Sequence, residues 1–431
     1  MATSALPSSP PGRFRPFPST RERPHPGEIL LVGERYEEAI PFLEQQYHED
    51  ENGPRAFEVL SNLGICYRIA GRLIDSNKAY ALAIMKEPNS GIIWANAALT
   101  MTDMGEHDAA FLSAGNAYNL ARGKNNKDVD FVYTLALLRE GRWTEAWKIW
   151  DGCRPKFSIR DTLPPDDGDM KEWRGIDDPI PSGSRVLVIG EWGFGDAFIN
   201  LRYFGLLKEM GADITYLSWK RQRTLFEAHP WVDRVHAYVK PDGSEEPTKL
   251  HTTDYDYYTC LMDLPARFGS VPSTVPYVEG YISKDVYHKT LPPTRKRRIG
   301  LCWQAEESAY SHRFRSFRDD QIGEFESVDA EWYSLQVGQA LPWMKPHNPE
   351  SWTDTAQLLS QLDLVVTVDT AVAHLAGAMN VPTWLLLPAG SAWQWLRDRD
   401  TSVWYDSMRL FRSDAADDFL DLPAKVAREL R

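Results

Sequence analysis

The sequence predicts an α + α/β protein, an α-solenoid followed by two α/β lobes, and three observations carry that expectation. Between residues 28 and 150 packing residues recur at a fixed offset: Leu60 and Trp94, Gly71 and Gly105, Ala83 and Ala117 each stand 34 residues apart. From Arg185 onward, short apolar runs alternate with helical patterns, as in doubly wound sheets. A basic linker, PPTRKRR, divides that alternation in two, with IGLCW starting the second half.

The repeating part comes first. In its best unit Leu60, Leu63, Gly64, Tyr67, Gly71, Tyr80, Ala83 and Pro88 give small residues where two helices touch, a glycine at the turn and a proline at the end. This pattern resembles tetratricopeptide repeats, two-helix units that stack on their neighbours to bury a core. A third unit runs from Asp130 to Trp150 around Gly141, and a half-unit, Gly33 to Gln46, caps the array. Two positions depart from the pattern: Ala98 stands for the usual glycine and Ala114 for the usual bulky residue. The expected boundaries are a disordered tail over 1–27, rich in Pro, Arg and Ser, repeats over 28–150 and a Pro/Asp/Gly linker over 151–184.

The α/β part divides into a first lobe, 185–290, and a second, 291–412, followed by a C-terminal helix, 413–431. RVLVIG (185–190) is a buried strand, EWGFGD a glycine-bearing turn, and a helix follows from Ala197 to Met210. ADITYL and VDRVHAYV are the next strands. In the second lobe IGLCW, WYSLQVG, LDLVVTV and PTWLLLP read as strands, with a helix capped by Thr353 before the third and a helix DTAVAHLAGAMN after it. Ligands of open α/β sheets bind outside the carboxyl ends of the strands, where Asp369 and Thr370 fall. The start of the following helix offers unpaired N–H groups and a positive dipole end, suited to a diphosphate. His374, four residues after Thr370, shares its helix face. Spacing alone fits a helix cap and a buried polar residue equally well.

D-[ST]-x-x-x-H-L-A-G-A followed by P-x-W-x-L-L-P resembles the donor-site motif of family 9, heptosyltransferase-like, glycosyltransferases, and most of all the members fused to tetratricopeptide repeats. The resemblance spans about residues 184–413 and takes in MDLPARFG, GLCWQ, HRFRS, SLQVG and WQWLRDRDTSVWYDSMRLFR. It implies a GT-B fold of two Rossmann-like lobes with the C-terminal helix packed back across the first, a nucleotide-sugar donor held by the second, and metal-independent inversion at the anomeric carbon. It also implies that Asp196, closing the turn that bears Gly193 and Gly195, is the general base for the acceptor hydroxyl. Were Asp196 not the base, Asp254 and Asp263 are the next first-lobe carboxylates to examine. Donor binding falls on Asp369, Thr370 and His374, on Arg315 from HRFRS, on Gln336, and on Trp303 or Trp393 as an aromatic wall. Arg313, His312 and Arg318 are alternatives to Arg315.

Composition bounds the rest. A net charge of −13 argues against a broad nucleic-acid face, though a local basic groove stays open. Four scattered cysteines suit a reducing, cytoplasmic setting, and no apolar run is long enough to span a bilayer. The pairs DGD, DYD and DRD lack the further oxygens a hard cation needs, so no metal and no resident cofactor are expected. The expected partners are a nucleotide sugar and a protein or peptide acceptor recruited by the repeats. Two other functions remain: an inactive repeat scaffold, and a transferase acting on a modified nucleic-acid base or a surface glycan.

Overall fold

The computed structural model describes residues 25–154, 170–218, 220–237, 250–287, 291–306, 314–415 and 417–431. Most of the expected tail and residues 155–169 of the expected linker lie outside these residues, as do the DGD pair, His312 and Arg313.

Eight helices come first: α1 (Pro26–Val32), α2 (Tyr36–Glu49), α3 (Ala56–Ile69), α4 (Leu73–Lys86), α5 (Gly91–Met104), α6 (His107–Ala121), α7 (Lys127–Arg139) and α8 (Trp143–Cys153). Each packs on the next, as stacked helical hairpins must to bury their apolar faces. Gly71, Gly105 and Gly141 turn the chain between paired helices with φ of 79°, 84° and 72°, a region open to glycine at little cost. The two departures from the repeat pattern compensate each other. Gly64 leaves room for the buried ring of Tyr80, whose Cζ would lie 2.5 Å from an added Cβ. One repeat later the same two positions are Ala98 and Ala114, both buried in one cluster, so a larger residue faces a smaller one.

The first lobe has a five-stranded parallel sheet in the order β1-β5-β2-β3-β4: β1 (Lys171–Glu172), β2 (Arg185–Ile189), β3 (Asp213–Ser218), β4 (Arg234–Ala237) and β5 (Tyr257–Cys260). Its helices are α9 (Phe194–Glu209), α10 (Arg223–Glu227) and α11 (Leu264–Arg267). The second lobe has a six-stranded parallel sheet in the order β11-β10-β9-β6-β7-β8: β6 (Arg298–Cys302), β7 (Glu331–Ser334), β8 (Met344–Lys345), β9 (Leu364–Val368), β10 (Thr383–Leu387) and β11 (Met408–Arg412). Helices α12 (Trp352–Leu359), α13 (Ala371–Ala378) and α14 (Leu422–Leu430) complete it. The sheets are separate, as two lobes require.

Four local expectations are corrected. Strands β1, β5, β8 and β11 are additional to those the sequence predicts: β1 and β8 are two residues long, YYTC lacks a long aliphatic run, and MRLFR is interrupted by arginines. Ser351, not Thr353, caps α12: its hydroxyl accepts from the amide of Asp354. Helix α9 starts at Phe194, three residues early, so Gly193 is its N-cap and Gly195 is already helical. Neither glycine takes a positive φ; the left-handed residue in this segment is Trp192, at φ 61°. Finally, α14 packs on the second lobe rather than across the first, because Leu422, Val426 and Ala427 insert among Ile299, Ile322 and Phe325.

One large core joins the last repeat, the first lobe and the facing side of the second. It includes Trp143 and Trp150 of α8, Phe198 of α9 and Leu375 of α13. The repeats therefore touch both lobes: Trp147 donates to the carbonyl of Ser270 in the first, and Trp143 stacks on Trp404 of the second at 5.3 Å.

Gly64→Ala should lower stability by roughly 1–3 kcal/mol, the usual cost of overpacking. Gly152→Ala, whose added methyl meets nothing within 4 Å, should leave stability unchanged or raised by up to about 1 kcal/mol, from helix propensity. Thermal unfolding of the two variants decides it; equal behaviour would show that the Gly64–Tyr80 contact is slack.

Candidate functional site

The site forms where helices of the two lobes meet start to start. After β2 the chain passes Gly190, where an added Cβ would lie 2.6 Å from the carbonyl of Leu217, so only glycine fits. Glu191 and Trp192 follow, Gly193 caps α9, and Asp196 occupies the first turn. One Asp196 oxygen accepts the Gly193 amide at 2.9 Å, closing the turn. Burial pushes the Asp196 carboxyl up to about 6; the Gly193 amide lowers it, Asp369 raises it and Arg315 lowers it. Near neutral pH it is ionised with its pKa close by, the condition for a general base.

From the second lobe, the fully buried strand β9 delivers Asp369 and Thr370. Thr370 is the N-cap of α13 but does not cap with its hydroxyl, which lies 3.2 Å from the Thr367 hydroxyl and 3.8 Å from the Cys302 sulfur. Arg315 reaches over this start: one terminal nitrogen donates to the Asp369 carbonyl at 2.9 Å and lies 3.8 Å from its carboxylate. The Arg315 Nε is buried with no hydrogen-bond partner among the described residues. His374 is buried, its Nε2 3.9 Å from the Asp369 carboxylate and its Nδ1 3.2 Å from the Tyr405 hydroxyl. Its ring stacks on Trp395 at 5.1 Å. Burial pulls His374 down to about 4; Asp369 opposes this, while Arg202 and Arg315 reinforce it, so the imidazole is neutral near pH 7.

Gly195 joins the halves. A Cβ there would stand 2.7 Å from the His374 ring and 3.5 Å from the Ala371 Cα. Helix α9 can therefore lie against α13 only because position 195 carries no side chain. The structure thus gathers Asp196, Gly193, Gly195, Asp369, Thr370, His374 and Arg315 at one place. Gln336 stands at its foot: its side-chain oxygen accepts the Gln304 amide at 3.1 Å and lies 3.6 Å from the Cys302 sulfur.

Trp303 does not join them. Alternation along β6 sends Cys302 toward the site and Trp303 to the opposite face of the sheet. There it is 1% exposed and donates to Asp319 at 2.9 Å, which is core packing. Trp393 packs edge-on against Trp143 of the repeats. Arg318 is exposed and paired with Asp320. Asp263 is buried and engaged by Trp150 and Arg154, so it is no free carboxylate. Of the Asp-x-Asp pairs, Asp256 is held by Arg185, and Asp398 is exposed beside Arg397.

Sequence reasoning missed Tyr405 and Arg202, and placed Trp395 only among several tryptophans near the cleft motifs. Tyr405 and Trp395 both stand inside the WQWLRDRDTSVWYD stretch, whose aromatic density was the available signal. Arg202 gave none. Wholly buried on α9, it lies 4.9 Å from the ring centroids of Tyr281 and Tyr405 and 5.3 Å from that of Trp404.

Against this geometry stand the comparisons with known proteins. The model of glycosyltransferase family 9 (heptosyltransferase) matches residues 351–386, which contain α12, β9, Asp369, Thr370 and α13. Protein FlbA of Caulobacter vibrioides is 24% identical over 422 residues, 86% of this chain and 65% of FlbA, so the chain spans about two thirds of that relative. Among solved structures, the E. coli heptosyltransferase WaaC with ADP-2-deoxy-2-fluoro heptose aligns with 57% of this chain and 99% of its own, at 13% identity and a TM-score of 0.38. A crystal structure of MamA aligns with 30% of this chain and 74% of its own, at 17% identity and a TM-score of 0.27. No helix among the described residues is long and apolar enough to cross a membrane.

The raised Asp196 pKa has a thermodynamic signature. A carboxyl raised from its ordinary 3.8 to about 6 holds its proton more tightly in the folded than in the unfolded chain. Stability therefore falls as pH rises from about 4 to about 6, and the loss persists above. Asp196→Asn, which carries no charge to desolvate, should exceed the parent by on the order of 1–3 kcal/mol at pH 7.5 and match it near pH 4. Denaturant melts across that range are the measurement; a pH-independent difference would contradict the shift.

Proposed function

We propose that this protein is a glycosyltransferase that moves a sugar from a nucleotide-sugar donor to an acceptor hydroxyl with inversion. The observation that carries the reading is the meeting of Asp196 with the Arg315-covered start of α13, a start that itself lies in the segment matching the glycosyltransferase family 9 model. A base near its working pKa, a fixed cation and an uncapped helix start within one cleft are the parts such a transfer requires.

In the proposed step, Asp196 takes the proton of the acceptor hydroxyl as that oxygen attacks the anomeric carbon. The bond from that carbon to the diphosphate oxygen breaks on the opposite face, which inverts the configuration, and the electron pair leaves with the diphosphate. Arg315, the Thr370 hydroxyl and the first amides of α13 meet the developing charge. Neutral His374 can donate or accept one hydrogen bond without adding charge, and Gln336 offers its amide nitrogen to the nucleotide or sugar. Because Arg315 and the helix start supply the positive charge, no divalent ion is assigned to the step. The acceptor is taken to be a protein or peptide held by the repeats. Phe131, Leu137 and Leu138 of α7 are packed into the common core, so the recruiting surface falls to the first two units.

The test begins with a panel of UDP-, GDP-, ADP-, dTDP- and CMP-sugars, read by thermal shift and slow hydrolysis; a ligand bound only by the native state raises stability. Failure of every donor would favour a scaffold without activity. With the donor that binds, Asp196→Ala should lower turnover by about two to four orders of magnitude and leave donor affinity nearly unchanged. Thr370→Ala and His374→Ala should weaken donor binding by roughly 1–3 kcal/mol each. Parent-like transfer by Asp196→Ala would move the base elsewhere. Activity should also persist in EDTA; loss restored by manganese would require a metal in the step.

A further inference from the structure

The last helix of the repeats ends inside the first lobe. Arg154 closes α8, and its side chain has no exposed surface. One terminal nitrogen donates to both oxygens of Glu191 at 3.0 and 3.2 Å, and the other to Asp263 at 2.6 Å. Glu191 lies just past the end of β2 and Asp263 just past the end of β5. These strands are neighbours, with Ile189 opposite Cys260, so their carboxyl ends bring two acids to one buried place. The indole of Trp150 donates to Asp263 at 2.8 Å. Arg267 lies 3.4 Å from the same carboxylate but closer to Asp151 and Glu172, at 2.7 and 3.1 Å.

Two carboxylates at this depth cannot both remain charged without a cation between them. Burial raises the Glu191 pKa and Arg154 lowers it. The first lobe's own Arg267, also buried, is engaged mainly by Asp151 and Glu172 and does not reach Glu191, so the cation bonded to both acids comes from the repeats. Its leverage on the site is short. Trp192, next to Glu191, holds φ 61°, a costly conformation for a large side chain that persists only where neighbours impose it. Two anchors flank it: the carboxylate of Glu191 on Arg154, and the Gly193 amide on Asp196.

We propose that Arg154 is a positioning residue: supplied by the repeats, it pins Glu191 to Asp263 and so fixes the Trp192–Gly193 turn that aims Asp196 into the cleft. This rests on the reading of Asp196 as the base. The repeats are then part of the transfer machinery, since they complete the carboxyl edge of the first lobe's sheet, as well as a means of recruitment.

The test uses the full chain with Arg154→Met, Arg154→Lys, Arg154→Met/Glu191→Gln and Asp196→Ala. Amide hydrogen exchange needs no ligand. Arg154→Met should speed exchange about tenfold or more in residues 189–199 and 260–267, while residues 364–378 keep the parent's protection. Acceleration spread evenly over the chain would overturn the proposal, because the arginine would then be general packing. With the panel of UDP-, GDP-, ADP-, dTDP- and CMP-sugars, hydrolysis of the donor that binds should lose about 10- to 100-fold in kcat with KM within about twofold. The double variant, with one buried negative charge fewer, should recover part of both losses. Parent-like kcat in Arg154→Met, or a loss carried by KM, contradicts the assignment. Should Arg154→Met not fold, Arg154→Lys keeps the charge but loses the two-pronged bridge. Lowered kcat in folded Arg154→Lys supports the proposal, and unchanged kcat refutes it. Asp196→Ala separates the two claims: if it turns over like the parent, the base reading fails, while the exchange pattern still judges the pinning.

Discussion

Two helices can meet start to start only if one of them carries nothing at the crossing. Gly195 is that position, against the His374 ring and the Ala371 backbone, and the site depends on it. The contact brings two acids from different lobes, Asp196 and Asp369, close enough to repel, and places Arg315 where it attracts both. The same closeness removes water from Asp196 and His374, raising one pKa and lowering the other. A charged carboxylate beside a neutral imidazole near pH 7 thus follows from how tightly α9 lies on α13.

That closeness is held from behind. Arg202 is a buried cation with no carboxylate within 4 Å among the described residues. It is compensated by the carbonyls of Ile199 and Pro276, each at 2.9 Å, and by three aromatic rings. Two of those rings, Trp404 and Tyr405, belong to the second lobe; Tyr405 contacts His374 and Trp404 stacks on Trp143 of the repeats. Helix α8 therefore touches the supports of both halves of the site: Trp143 on the side of His374, and Arg154 on the side of Asp196.

Much of this was legible in the sequence wherever one residue type answers one physical need. The 34-residue offset marks the helix turns because Gly71 and Gly105 must take positive φ, and the apolar runs of β2, β9 and β10 mark buried parallel strands. Asp369, Thr370 and His374 stood out because strand, cap and helix follow one another within a few residues. What failed to show was set by distant partners. Strand β5 is short and tyrosine-rich and is a strand because β1 and β2 flank it. Gly193 and Gly195 looked like a turn because glycine pairs usually are; the need at Gly195 comes from a histidine 179 residues away. Trp303 looked like a cleft wall because nothing local says which face of β6 is covered by α14. Arg154, at the edge of an apparent linker, carried no signal, since its two acids are 37 and 109 residues distant.

The central claim is that a diphosphate sits at the start of α13 with the Asp196 carboxylate beside it across the lobe junction. A crystal structure of the full chain with the nucleoside diphosphate it binds measures this directly. The account predicts the phosphates against Thr370 and the first amides of α13, under Arg315, with Asp196 facing the open side of the cleft. Phosphates held by the first lobe or by the repeats, with the start of α13 bare, would contradict it.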